Sequence, residues 1–248
     1  MAKNEVVKAE ENTAVAVAPA LQVEVSSEDM MVPFLKVVQS LSEEVVPGKD
    51  KYNADVRPGD LYDGVTKTIF KNSQAVICGL KKYYAEWTPE VRGKLVGKHP
   101  ITSPVVANAL KIEKTSDKGN SYFTLQTAGG NDLIETYGVV MIVKNEDGLI
   151  IPAVLTLSKT SFIVGKQLST LLTIHQAKGV PLFNLGTSSS SNTKGSWFKP
   201  SFTFAGYETD ESVLAMAAGM NGVVDNILFN NLNTEDGPGV TDAANDLL

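Results

Sequence analysis

The chain is poor in the residues that build reactive centres. Its 248 residues include one cysteine and two histidines. Neither His99 nor His175 stands at metal-ligand spacing from the other or from Cys78. A single thiol excludes an intrachain disulfide, and its setting in the apolar run "AVICGL" fits a reducing compartment. No run approaches the roughly 20 apolar residues of a membrane-spanning helix. The opening "MAKNEVVKAEENTAV" lacks the basic start and apolar core of a secretion signal. No phosphate-cradling glycine loop occurs, because "GKLVGKH" has neither the spacing nor the hydroxyl residue after lysine. These absences argue against a metal centre, nucleotide hydrolysis and thiol catalysis. The expectation is a soluble, intracellular protein that is not an enzyme and uses no cofactor.

Basic charge is also missing from one region. Residues 200–248 hold eight acidic side chains and no Lys or Arg, and residues 1–30 are acidic too. Residues 31–199 carry 20 basic groups against 14 acids, although the whole chain has a net charge of -6. A basic body with acidic ends suits a protein that meets a polyanion; ends that merely keep a protein soluble would look the same. Residues 1–27 show no helical period and read as a flexible arm, 28–231 as one domain, and 232–248 as a flexible acidic tail. In that tail Asp242 and Asp246 could occupy a basic groove when it is empty, and the apolar tip Leu247-Leu248 could dock into a partner.

Between the ends the pattern is mainly that of strands. "VPFLKVVQSLSEEVVPG" reads as a short helix opening at Pro33, with Phe34, Val37, Val38 and Leu41 as its stripe. "RPGDLYDG" reads as a turn and a short extended piece. "SQAVICGLKKYYAEW", "NSYFTLQT", "DLIETYGVVMIVKN" and "LIIPAVLTLS" read as strands, the last two joined at the hairpin signal "NEDG". The continuous apolar runs imply strands buried on both faces or in a closed barrel. "SFIVGKQLSTLLTIHQAKG" reads as an amphipathic helix stopped by Gly179, with His175 a partly exposed structural residue. "GVPLFNLGT" and "SWFKPSFTFAGY" flank a serine-rich loop or hairpin tip, and "ETDESVLAMAAGMNGVVDNILFNN" reads as a last helix. The order fits an α+β, mainly β domain, not a doubly wound sheet.

What is present in excess is a stretch of mixed basic and aromatic character, "KKYYAEWTPEVRGK". Side chains alternate faces along a strand. Val76, Cys78 and Leu80 therefore fall on one face, and Lys81, Tyr83 and Trp87 on the other with Ile77; a bulge at Gly79 would reverse this for every later residue. Rings and cations in line suit single-stranded nucleic acid, whose bases stack while lysines follow phosphates. Lys82 and Tyr84 lie in the same run, and Arg92, Lys94 and Lys98 follow in a loop that Gly93 and Gly97 would make mobile. A second cluster, Lys194, Trp197, Phe198 and Lys199, would extend the track. The same rings would equally cover the edge of a barrel or sandwich core. An "IEK" run (Glu113, Lys114) faintly suggests a nuclease.

"PFLKVVQSLSEEV", "RPGDLYDG", "AVICGLKKYYAEWTP", "GLIIPAVLTLSKTSFIVGKQLSTLL" and "WFKPSFTFAGY" occur in an order that resembles a group of bacteriophage single-stranded DNA-binding proteins over roughly residues 30–208. The resemblance implies an oligonucleotide/oligosaccharide-binding (OB) fold, a five-stranded barrel with added helices, acting in phage replication or recombination in the host cytoplasm. It also implies recruitment of replication or recombination proteins through the tail, although this tail lacks a dense acidic run and a terminal aromatic. Self-association is left open. The main alternative is a phage structural or assembly protein that uses the aromatic surface as a protein interface, since tyrosine and tryptophan serve both roles.

Overall fold

The computed structural model describes residues 32–90, 93–115, 119, 121–193 and 195–229. The arm and tail expected from the sequence lie outside the described residues, as do Arg92, Lys194, Asp242, Asp246, Leu247 and Leu248. In chain order the elements are β1 (Phe34–Val37), β2 (Leu61–Asp63), β3 (Ile69–Phe70), β4 (Ser73–Trp87), β5 (Leu95–Pro100), α1 (Pro104–Ala107), β6 (Leu110–Thr115) and β7 (Ser121–Gln126). They continue as β8 (Asp132–Lys144), β9 (Ile150–Ser158), α2 (Phe162–His175), β10 (Pro181–Asn192), β11 (Gly195–Tyr207), α3 (Glu211–Met220) and α4 (Val224–Phe229).

The class is α+β and mainly β, as the strand-rich pattern implies. Among the described residues, eleven strands form one sheet in the order β11-β10-β4-β8-β9-β1-β2-β3, with β5 on β4 and the β6–β7 hairpin attached through β7 to β8. The sheet curls into a half-barrel, so the five-stranded OB barrel is not reproduced as such. Its backbone is the β4–β8 pair, in register from Gln74 opposite Lys144 to Trp87 opposite Asp132. Val139 to Val143 of β8 are all fully buried, which explains their unbroken apolar run: both faces of the sheet are covered. On one face Ala75, Ile77, Leu80, Val139, Met141, Leu155 and Phe183 pack with Val164 and Leu168 of α2. On the other, Val76 and Ile142 meet Val213 and Ala217 of α3, while Val140 and Val154 meet Val224, Ile227 and Leu228 of α4.

β4 does carry a bulge, one residue before Gly79. The register shifts between Ile77 and Gly79, so Cys78 is the extra residue and Leu80 joins Ile77 on the α2 face, not Val76 as strict alternation requires. Cys78 is instead packed with the α3–α4 side, where burial pushes its thiol up to about 11, only partly opposed by a hydrogen bond from the Ile142 backbone. α4 sits close because glycine lies beneath it: a Cβ on Gly79 would lie 2.5 Å from a Val224 methyl, and one on Gly138 would lie 2.7 Å from Leu228 Cδ2.

Four other expectations need correction. Residues 34–37 form strand β1, paired to β9 and β2, and only Glu43–Val45 turn helically. A four-residue segment with three apolar positions satisfies either period, and the open edge of β9 decides it. "LVGKHP" is not a loop but strand β5 on β4. The serine-rich segment is the end of the β10–β11 hairpin, as one of its two readings had it, but it is strand and not loop, with Ser188 to Ser191 opposite Lys199 to Ser196. The last helix is two, α3 and α4.

The curl brings β11 close to the segment after β1. There the Gln39 side chain acts as a short strand: its Oε1 accepts from the Phe198 N–H at 2.9 Å, and its Nε2 donates to the Phe198 carbonyl at 2.8 Å. Gln39 is buried, so its loss would strand both backbone groups. Gln39→Ala is expected to cost about 2–4 kcal/mol, read as a lower urea midpoint with an unchanged slope.

At the other end of β8, Lys144 donates to buried Glu208, whose second oxygen accepts from the N–H groups of Thr209 and Asp210. Burial alone would raise the Glu208 carboxyl, but the Asp210 N–H, Lys144 and the Thr209 N–H outweigh it and hold the group below the ordinary glutamate range. The carboxylate therefore contributes stability above the unfolded-chain value, near pH 4, which is lost as pH falls through its lower folded value. Urea midpoints should drop through that acid window in the wild type and drop less in Glu208→Gln.

Candidate functional site

The basic and aromatic run of β4 divides between the two faces of the sheet. Downstream of the bulge, Lys81, Tyr83, Ala85 and Trp87 share the α4 face, while Lys82, Tyr84 and Glu86 share the opposite one. Lys81, Tyr83 and Trp87 share a face as expected, but the bulge puts them on the face of Val76, which carries α3 and α4, and not on that of Ile77.

Tyr83 is 1% exposed, and its ring meets Phe229 edge-on with centroids 5.7 Å apart. No ring face is left for a base, so Tyr83 is corrected from groove to core. Lys81 lies 3.3 Å from Asp225 of α4, and both side chains remain well exposed. Lys98 is half-buried in β5 with its Nζ 5.2 Å from the Phe34 ring centroid, so it does not belong to a mobile loop. Lys94 is exposed beside the β4–β5 turn.

On the opposite face Lys82 is paired with Glu135, which also accepts from the Tyr84 hydroxyl at 3.3 Å. Hydrogen bonding to Glu135 raises the Lys82 ammonium above its ordinary value, and burial raises the Tyr84 phenol. Nearby, Glu86 joins His99 Nε2 at 2.6 Å to the Asn131 amide at 2.7 Å. Lys82 and Tyr84 are thus bound into a side-chain network and do not line a groove with Trp87.

The second expected cluster is elsewhere. β10 and β11 run on past Ser73, away from Trp87, and Trp197 and Lys199 lie on that extension, opposite Ser190 and Ser188. Along the sheet the 15 residues of β4 lie between the clusters, so no single strand carries both. Phe198 is held by Gln39 and packs its ring against Gly59. The Trp197 indole N–H is buried with no hydrogen-bond partner among the described residues.

The β6–β7 hairpin supplies what the sequence reading overlooked. Among the described residues its strand pairing to the sheet is through Leu125 opposite Leu133 and Gln126 opposite Asp132, beside Trp87. Register places Leu110, Ile112, Lys114, Tyr122, Thr124 and Gln126 on the face of Trp87 and Asp132. Tyr122 is 50% exposed and sits opposite Lys114, whose Nζ lies 2.9 Å from Asp132. Phe123 is 58% exposed on the reverse face, under Lys111 Nζ at 4.1 Å. Glu113 and Lys114 point to opposite faces, so the "IEK" run does not converge as nuclease chemistry requires. The available signal was the interleaving of Lys111, Lys114, Tyr122 and Phe123, split in sequence by a turn.

Among the described residues no group of three or more His, Cys, Asp or Glu could hold a metal ion, and no helix is long and apolar enough to cross a membrane. No curated protein and no solved structure matches the chain. A family model described as Pam3 phage gp34-like protein matches residues 15–226, well over half of the sequence, and the chain belongs to this phage family.

Proposed function

We propose that this phage protein is a non-enzymatic, sequence-tolerant single-stranded DNA-binding protein acting in replication or recombination in the host cytoplasm. The observation that carries the reading is the common face of Trp87 and Tyr122 on one continuous sheet, with Lys114 beyond Tyr122 on the outer strand β6. Two accessible rings and a cation along a strand platform are what stacking and phosphate tracking need. Lys81 and Lys94 flank this surface. The reading takes from OB-type proteins a mode of binding only, with bases lying on strands. Tail-mediated recruitment of replication proteins belongs to the same reading.

The deciding experiment is tryptophan fluorescence during titration with oligothymidine at low and moderate salt, beside a duplex. Saturable quenching by the single strand, weaker at higher salt and much weaker for duplex, supports the reading. Absence of quenching together with no shift of labelled strand on a gel overturns it. Loss of labelled strand on adding a divalent metal would point to a nuclease instead.

A second reading, an assembly protein, draws on the exposed apolar side chains of Val96, Ile101 and Leu110, and on the acids already paired with Lys81 and Lys114. An interface of that kind would depend less on salt.

A further inference from the structure

Among the described residues β6 is hydrogen-bonded on one side only, to β7, and its other edge carries the backbone groups of "LKIEKT" without a neighbouring strand. Such an edge is a template for another strand unless proline, a bulge, a cover or unmatched charge blunts it; β6 has no proline and a regular register with β7, and its charges, Lys111, Glu113 and Lys114, are of both signs, so a second copy can match them. Leu110 at its start is 52% exposed.

We propose that this edge pairs antiparallel with β6 of a second copy, with Ile112 opposite the partner's Ile112. A two-fold axis between antiparallel edge strands stands perpendicular to the sheet, so it must pass through opposed copies of the same residue. Centring on Lys111 or Lys114 sets lysine against lysine, and centring on Glu113 sets glutamate against glutamate. Centring on Ile112 sets Lys111 opposite the partner's Glu113 and Glu113 opposite the partner's Lys111, while the two isoleucines meet on the other face. Opposite charges directly across a ladder are favourable and like charges are not, so among the registers centred on residues 111–114, which pair most of the strand, the one on Ile112 is favoured.

The axis keeps faces together, so both copies present Trp87 and Tyr122 on the same side of a continuous ribbon. That consequence rests on the single-strand reading; the pairing itself does not.

The test is sedimentation of the full chain across a concentration series, without DNA. The wild type should be a reversible dimer. Lys111→Glu and Glu113→Lys each create two like-charge contacts across the axis and should weaken self-association by at least about ten-fold. An equal mixture of the two variants makes both contacts complementary again and should restore the dimer. Far-UV circular dichroism and melting curves verify that each variant is folded. A wild type that stays monomeric, single variants that dimerise as the wild type does, or a mixture that stays monomeric would each overturn the proposal. Since no nucleic acid is present, failure here is separable from failure to bind single strands.

Discussion

Tyr122→Ala is expected to weaken binding of single-stranded DNA by roughly 5- to 150-fold, while Phe123→Ala leaves it within about two-fold, because one stacked base contributes about 1–3 kcal/mol. The two residues are neighbours in sequence, similar in chemistry and both at least half exposed, but a strand sends them to opposite faces. Only Tyr122 shares a face with Trp87. Neither ring belongs to a buried cluster, so both variants should melt like the wild type, and the pair isolates face from composition. Trp87→Ala should also weaken binding without unfolding the protein, since Trp87 is half-buried at the end of β4. Equal losses for Tyr122→Ala and Phe123→Ala in a fluorescence-anisotropy titration would move the contact off this face.

Val76→Asp should abolish the folded state at neutral pH. Val76 is fully buried where β4 and β8 meet α3, among Ile142, Val213 and Ala217. The substitution removes roughly 1.5–2 kcal/mol of apolar burial and leaves a carboxylate without a partner in the interior, which costs several kcal/mol more. The sum approaches the roughly 5–15 kcal/mol that holds a whole domain folded. Val76→Ala, which only opens a small cavity, should cost about 2 kcal/mol and still give a cooperative transition. A cooperative melt of Val76→Asp near the wild-type temperature would mean that α3 does not cover this part of the sheet in solution.

The contrast between β4 and β1 shows what could be read without coordinates. The 15 residues of β4, with their β-branched and aromatic side chains, and the β-branched apolar centre of β8 are bounded by turn signals, so local preference and tertiary pairing agree. In β1 they do not decide together: "FLKV" fits a helix stripe as well as a strand, and only the exposed edge of β9 resolves it. Similarly, β6 is too short and too charged to stand out, and it becomes a strand because β7 folds back on it.

The candidate site divides the same way. The amino-acid sequence by itself determined the mainly β class, the scarcity of metal and thiol chemistry, the basic middle of the chain, and the fact that Lys81, Tyr83 and Trp87 point the same way. Only the tertiary structure decided what lies over that face. α4 buries Tyr83 and comes close to Lys81, because Gly79 and Gly138 leave it room. The second tryptophan cluster is carried off by the β10–β11 extension, and Tyr122 is brought to Trp87 through Gln126 and Asp132. Alternation along a strand is a local property, fixed by backbone geometry over two residues. Which strands adjoin, and which helix covers them, depends on contacts between segments far apart in the chain, where no single stretch of sequence carries the signal.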